Sequence, residues 1–167
     1  MEYLTISIGQ AGNQINYELS NLLLNDTENN YKTVNDNLLK NFLIDTEPKV
    51  ISKYLKNEKM KSYYAEDYNI VTNASGRGNN WALGYNIEYK ELKESNSIIL
   101  HSFEKIKRFI ERCGFIRGFT FLHSLNGGTG SGVSTRLIEL LKDEFPKFCV
   151  IDCPVVGLNS NIYYKFS

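Results

Sequence analysis

A strand that runs without a break into a glycine-rich turn and then into a helix recurs along this chain, and that recurrence constrains the fold more than any other feature. Tyr3 to Ile8 alternates and is rich in β-branched residues, which predicts a strand. It meets Gly9-Gln10-Ala11-Gly12-Asn13-Gln14, read as a loop, after which Ile15, Leu19, Leu22 and Leu23 recur at helical spacing. The pattern returns with a strand over Phe119 to Leu125 and a loop over Asn126 to Gly132. Val133, Leu137, Leu140, Leu141 and Phe145 then continue as a helix.

Between these units lie shorter copies of the same order. Phe42-Leu43-Ile44 is a strand ended by Asp45-Thr46-Glu47-Pro48, and the proline starts a helix carrying Val50, Ile51, Tyr54 and Leu55. A strand over Tyr68 to Val71 leads into turn-forming residues from Asn73 to Asn80. Ile98, Ile99, Phe103, Ile106, Phe109 and Ile110 form an amphipathic stripe, with Gly114 placed as the C-terminal cap. Phe148 to Ile151 reads as a last strand and Asp152 to Ser167 as a loop. Asn25 to Asn41 reads as a solvated, mobile connection.

Strands alternating with helices predict a doubly wound α/β fold, a mostly parallel sheet covered on both faces. With 167 residues and 42% hydrophobic content, the chain is sized for one domain with one core. In such sheets ligands bind at the carboxyl ends of the strands, where all these turns would gather.

The densest turn is Gly127-Gly128-Thr129-Gly130-Ser131-Gly132. Residues with little or no side chain let main-chain N–H groups approach an anion, and a helix N-terminus adds its positive end. Thr129 and Ser131 would add hydroxyl donors. No lysine follows, so this is not a Walker A loop, and neither the glycine spacing nor a later acidic residue fits the dinucleotide fingerprint. The alternative is a plain flexible turn. Gln10 could reach phosphate or magnesium; Asp45 and Glu47 are hard oxygen ligands for such an ion, or else caps of the helix after Pro48. Gly78-Asn79-Asn80 suits the end of a triphosphate pocket, Trp81 reads as a packing anchor, and His123 as a hydrogen-bonded core histidine. No nucleophile and base pair is apparent.

Lys plus Arg and Asp plus Glu both number 19, so no global field recruits nucleic acid or a membrane surface. No apolar run is long enough to span a bilayer and the first residues lack a signal pattern, which predicts a cytosolic protein. Cys113, Cys149 and Cys153 lack metal-ligand spacing and read as buried free thiols.

Taken together, Gly9-Gln10-Ala11-Gly12-Asn13-Gln14-Ile15, Gly78-Asn79-Asn80-Trp81-Ala82 and His123-Ser124-Leu125 running into Gly127 to Gly132 closely resemble the tubulin family. Asp45-Thr46-Glu47-Pro48-Lys49-Val50-Ile51 and Gly84-Tyr85 are more similar to the delta class than to alpha or beta chains. The resemblance covers nearly the whole chain, 1–167, as an incomplete N-terminal GTP-binding domain. It implies GTP or GDP with Mg2+ as ligands, and other tubulin subunits, microtubules, centrioles or basal bodies as partners. By the same resemblance the nucleotide meets Gly9, Gln10, Ala11, Asn13, Gly78, Asn79, Asn80, Ser124 and Gly127, Gly128, Thr129, Gly130, Ser131 and Gly132. Magnesium meets Gln10, Asp45 and Glu47.

Two positions depart from that pattern: Asn126 replaces a glycine, and Ile162 replaces a ribose-binding polar residue. By the same resemblance, the family's central helix, activation domain, C-terminal helices and the loop that drives hydrolysis on a neighbouring subunit are expected to lie outside these 167 residues, so no self-sufficient active site is expected within them. The rival readings are an oxidoreductase using a nucleotide cofactor, and a truncated paralogue that no longer binds nucleotide.

Overall fold

The computed structural model describes residues 2–25, 40–64, 68–86, 97–113 and 115–157. In chain order the elements are β1 (Glu2–Ile8), α1 (Gly9–Asn25), β2 (Asn41–Asp45), α2 (Lys49–Tyr54), α3 (Glu58–Lys61), β3 (Ile70–Thr72), α4 (Trp81–Tyr85), α5 (Ile98–Cys113), β4 (Ile116–Ser124), a π-helical turn (Thr129–Val133), α6 (Ser134–Glu144) and β5 (Cys149–Val155).

The strands form one sheet in the order β3-β2-β1-β4-β5, and every pairing is parallel. From β1 the chain steps outward to β2 and β3, then returns through α5 to β4 on the other side of β1. The connections therefore change direction between β1 and β4, and a crevice opens there beyond the carboxyl ends of the strands.

Both faces are covered, as the alternation of strands and helices predicts. On one face Leu4, Ile6 and Ile8 of β1, Phe42 and Ile44 of β2 and Phe119 and Phe121 of β4 pack against α5 and α6 through Ile99, Ile106, Phe109, Leu137 and Leu141. The Phe42 ring meets Phe109 edge-on at 5.2 Å. On the other face Leu43 and Ile70 pack with Ile51, Tyr54, Met60 and Tyr64 beneath α1 and α2, where Tyr17 stacks on Tyr54 at 4.5 Å. Period-two alternation in β2 sends Phe42 and Ile44 to one layer and Leu43 to the other.

Four sequence expectations are corrected. Gly9 to Gln14 is no loop: α1 starts at Gly9, whose φ of +73° turns the chain directly from strand into helix. The third strand starts at Ile70 rather than Tyr68. The last strand extends through Asp152 to Val155, because β5 is the sheet edge and Pro154 withdraws no donor that a further strand would need. For the same reason Cys149 and Cys153 are exposed rather than buried, and Cys113 is half-buried; none of the three is in a disulfide. The expectations for the connection at 26–39, the cap at Gly114 and the ribose position at Ile162 lie outside the described residues. No helix among the described residues is long and apolar enough to cross a membrane.

Candidate functional site

The crevice holds a cavity of about 740 Å³, within the range of small-molecule sites. Gln10, Ala11 and Gln14 reach it from α1; Asp45 and Glu47 from the end of β2; Gly78 and Asn79 from the turn before α4; Ser124 and Asn126 to Gly130 from the end of β4. Motifs more than thirty residues apart in sequence thus share one wall. The first turn of α1 and the first turn after β4 both open onto it, so unpaired N–H groups and the positive ends of two helices face the same space.

The glycine run is held from behind. Thr129 to Val133 winds as a π-helical turn that feeds α6, so half of the expected loop is helical. A Cβ on Gly130 would lie 2.5 Å from Ser124 Oγ, which presses this turn against the end of β4. A bulky residue at Gly130 therefore breaks the packing of the turn as well as crowding an anion. The Ser131 hydroxyl donates to the Gly127 carbonyl inside the turn, and Ser134 Oγ donates to the Gly130 carbonyl at 2.5 Å. Thr129 shares a short hydroxyl contact with Thr46, which ties the turn to the end of β2.

His123 is buried, as the sequence predicts, with Nδ1 2.8 Å from the Gly130 carbonyl and Nε2 2.8 Å from Asp152 Oδ1. Ser134 Oγ lies 3.1 Å from the same Nδ1. The residue types match a hydrolytic triad, but Ser134 is fully buried and its hydroxyl is spent on Gly130, so no substrate reaches it. The network braces the glycine turn.

Several residues singled out by sequence stand apart from the cavity wall. Asn13 is fully buried; its amide donates to the Gly9 and Ile44 carbonyls at 2.9 and 3.0 Å, and its oxygen accepts from Ser7 Oγ at 3.0 Å. It pins the β1–α1 corner to β2. Asn80 caps α4, accepting from the Ala82 and Leu83 N–H groups. Gly9, Ser131 and Gly132 sit behind the wall. Trp81 is no buried anchor: it is 48% exposed and stacks on Tyr85 at 4.6 Å. Sequence reading missed Lys49, Lys53, Tyr54 and Arg77, all of which line the cavity. Lys49 and Lys53 carried a usable signal, being four apart on the helix after Pro48.

Asp45 is 4% exposed, and its Oδ2 has no hydrogen-bond partner among the described residues. Its other oxygen accepts the Glu47 N–H at 3.2 Å, the local capping role. Burial raises its pKa to about 6, against the Glu47 N–H bond, which lowers it. Because the folded value lies above the ordinary 3.8, this group favours the fold most at low pH, and that support fades as pH rises through about 6. Asp45→Asn keeps the Glu47 bond and removes the buried charge. It should stabilise the ligand-free protein by about 2 kcal/mol at pH 7. Urea unfolding at pH 7 and pH 4 checks this: the gain should vanish at the lower pH.

A family model described as the Tubulin/FtsZ family, GTPase domain, matches residues 2–162. The chain is similar to a nucleomorph tubulin beta chain of Guillardia theta, at 32% identity over 164 residues that cover 87% of this chain and 36% of that protein. It is also similar to a tubulin beta chain of Bombyx mori, at 36% identity over 120 residues, 69% of this chain and 25% of that protein. The chain thus spans about a third of the length of the first of these relatives and a quarter of the second.

Proposed function

Because this chain belongs to the Tubulin/FtsZ family and carries its GTPase domain, we propose that it binds GTP or GDP in the crevice between β1 and β4. One observation carries the reading: Gln10, Asp45, Asn79 and Gly127 to Gly130, from four separate stretches of sequence, line a single cavity. The phosphates lie on the main-chain N–H groups after β4 and on the first turn of α1, where helix dipoles favour negative charge. Gln10, Asp45 and Glu47 hold Mg2+ beside them. The unpartnered, buried Asp45 Oδ2 fits that role, since a cation removes the cost of burying the carboxylate. Among the described residues no group of three His, Cys, Asp or Glu could hold a metal alone, so phosphate oxygens and water complete its shell.

The finer reading is a delta-like tubulin of the cytoplasmic cytoskeleton, serving microtubules, centrioles or basal bodies with other tubulin subunits as partners. Lys49-Val50 after Pro48 and Tyr85 after Gly84 support it. Hydrolysis then needs an acidic group supplied by a neighbouring subunit.

Titration with fluorescent GTP, beside circular dichroism to establish folding, tests the core of this proposal. Saturable binding that excess GDP competes away is the expected result. A folded protein with no signal would instead support a paralogue that has lost nucleotide, and retention on a nicotinamide dinucleotide column in place of a guanine one would revive the oxidoreductase alternative.

A further inference from the structure

The cavity carries more positive than negative side chains, although its glycine turns are built to hold phosphate with main-chain groups. Lys49 and Lys53, one turn apart on α2, and Arg77, just before Gly78, face a space that Asp45 and Glu47 share. Three cations against two carboxylates leave the cavity lining net positive beside the carboxylates that face Mg2+. This is an ordinary arrangement for an anion of high charge.

Arg77 is the best placed of the three. It is 7% exposed, and a Cβ on Gly128 would meet Arg77 Cβ at 2.5 Å and its carbonyl oxygen at 2.6 Å. The phosphate turn and Arg77 are therefore in direct backbone contact, which fixes the guanidinium's origin beside the turn. Glu47 closes the other side: a Cβ on Gly76 would lie 3.0 Å from Glu47 Oε1. Lys49 and Lys53 form no ion pair among the described residues.

Resting on the nucleotide-binding reading, we infer that Arg77, with Lys49 and Lys53, is a side-chain clamp for the terminal phosphate of a nucleoside triphosphate. It makes this chain prefer triphosphate to diphosphate, and it keeps that preference when divalent cations are removed. Arg77 acts as a specificity-determining residue, adding charge where the third phosphate ends, and main-chain groups hold the two inner phosphates equally in both ligands.

The test is competition binding of GTP and GDP to the full chain, with Mg2+ and again with excess EDTA. Wild type should favour GTP by at least tenfold in both conditions. Arg77→Gln should lose at least tenfold in GTP affinity with less than threefold change for GDP, and Arg77→Lys should recover part of the loss. Lys49→Gln combined with Lys53→Gln, on a surface helix, should narrow the preference without any folding defect even if the buried Arg77 variant is unstable. Equal losses for GTP and GDP in these variants, or a preference that disappears in EDTA, would overturn the clamp and leave nucleotide binding intact. A folded wild type that binds neither nucleotide overturns both readings.

Discussion

Gly12→Ala abolishes the cooperative unfolding transition of the chain, although the same exchange in an exposed helix interior stabilises by roughly 1 kcal/mol. The opposite sign comes from how α1 lies on the sheet. Gly12 is in the first turns of a helix that starts directly at the end of β1 and crosses β4. A Cβ there would lie 2.0 Å from the Leu122 carbonyl oxygen, 2.8 Å from its carbon and 3.3 Å from His123 Cα. All three are main-chain atoms of a central strand, pinned by pairing on both sides, so no rotamer change relieves the overlap. Separating α1 from β4 would also pull Asn13 from the Gly9 and Ile44 carbonyls, leaving buried polar groups unsatisfied. We expect a loss of about 5 kcal/mol or more, above the usual cost of overpacking because the overlap is with fixed main chain, and enough to unfold a domain at the lower end of ordinary stability. Thermal melts followed by circular dichroism check it. A melt at or above the wild-type temperature would show that α1 does not rest on β4 as described.

That contact also shows why part of the architecture was legible in sequence and part was not. β1 and the α5 stripe follow from periodicity alone, because their inward residues are apolar and their spacing distinguishes strand from helix. The start of α1 does not. Its buried side is polar: Asn13, Asn16 and Ser20 are fully buried and hydrogen-bonded to Ser7, Asn41 and Tyr64, so hydrophobic spacing marks the helix only from Ile15 onward and gives no sign of its first turns. Polar burial of this kind depends on partners tens of residues away, which no local pattern encodes. β5 fails for a different cause: an edge strand exposed on most of its length has neither alternation nor an apolar run to mark its end.

The candidate site divides along the same line. Turns dense in glycine and asparagine identify themselves, and the parallel topology brings them together, so Gln10, Asp45, Asn79 and Gly127 were readable as neighbours. Which of the motif residues face the cavity was not, since Asn13, Asn80 and Ser131 have side chains committed to backbone partners. Nor was the cationic wall. Arg77 stands between two glycines in a turn, where composition suggests only chain reversal, and its place in the cavity is set by the packing of Gly128 against it.

Adding negative charge to the cavity at Asn79 and Asn126 together should lower GTP affinity by at least a hundredfold and leave the melt unchanged. Both residues line the cavity and both are exposed, so Asn→Asp changes charge with almost no change in shape. Asn79 has a φ of 54°, a left-handed conformation that asparagine and aspartate tolerate better than other side chains, so the exchange adds no backbone strain. Its Oδ1 lies 3.7 Å from where a Gly127 Cβ would be, beside the turn that receives phosphate. Against a polyphosphate about 5 Å away, each new carboxylate costs roughly 1–3 kcal/mol at the effective dielectric of a partly open site. Two of them therefore exceed the loss expected from any single donor. Because the penalty is electrostatic, raising the salt concentration should recover part of the affinity, whereas a loss caused by altered packing would not respond. Fluorescent-GTP titrations at low and high salt separate the two. Unchanged affinity in a folded double variant would place the phosphates elsewhere, and the convergence of the four turns would then be a packing arrangement without a ligand.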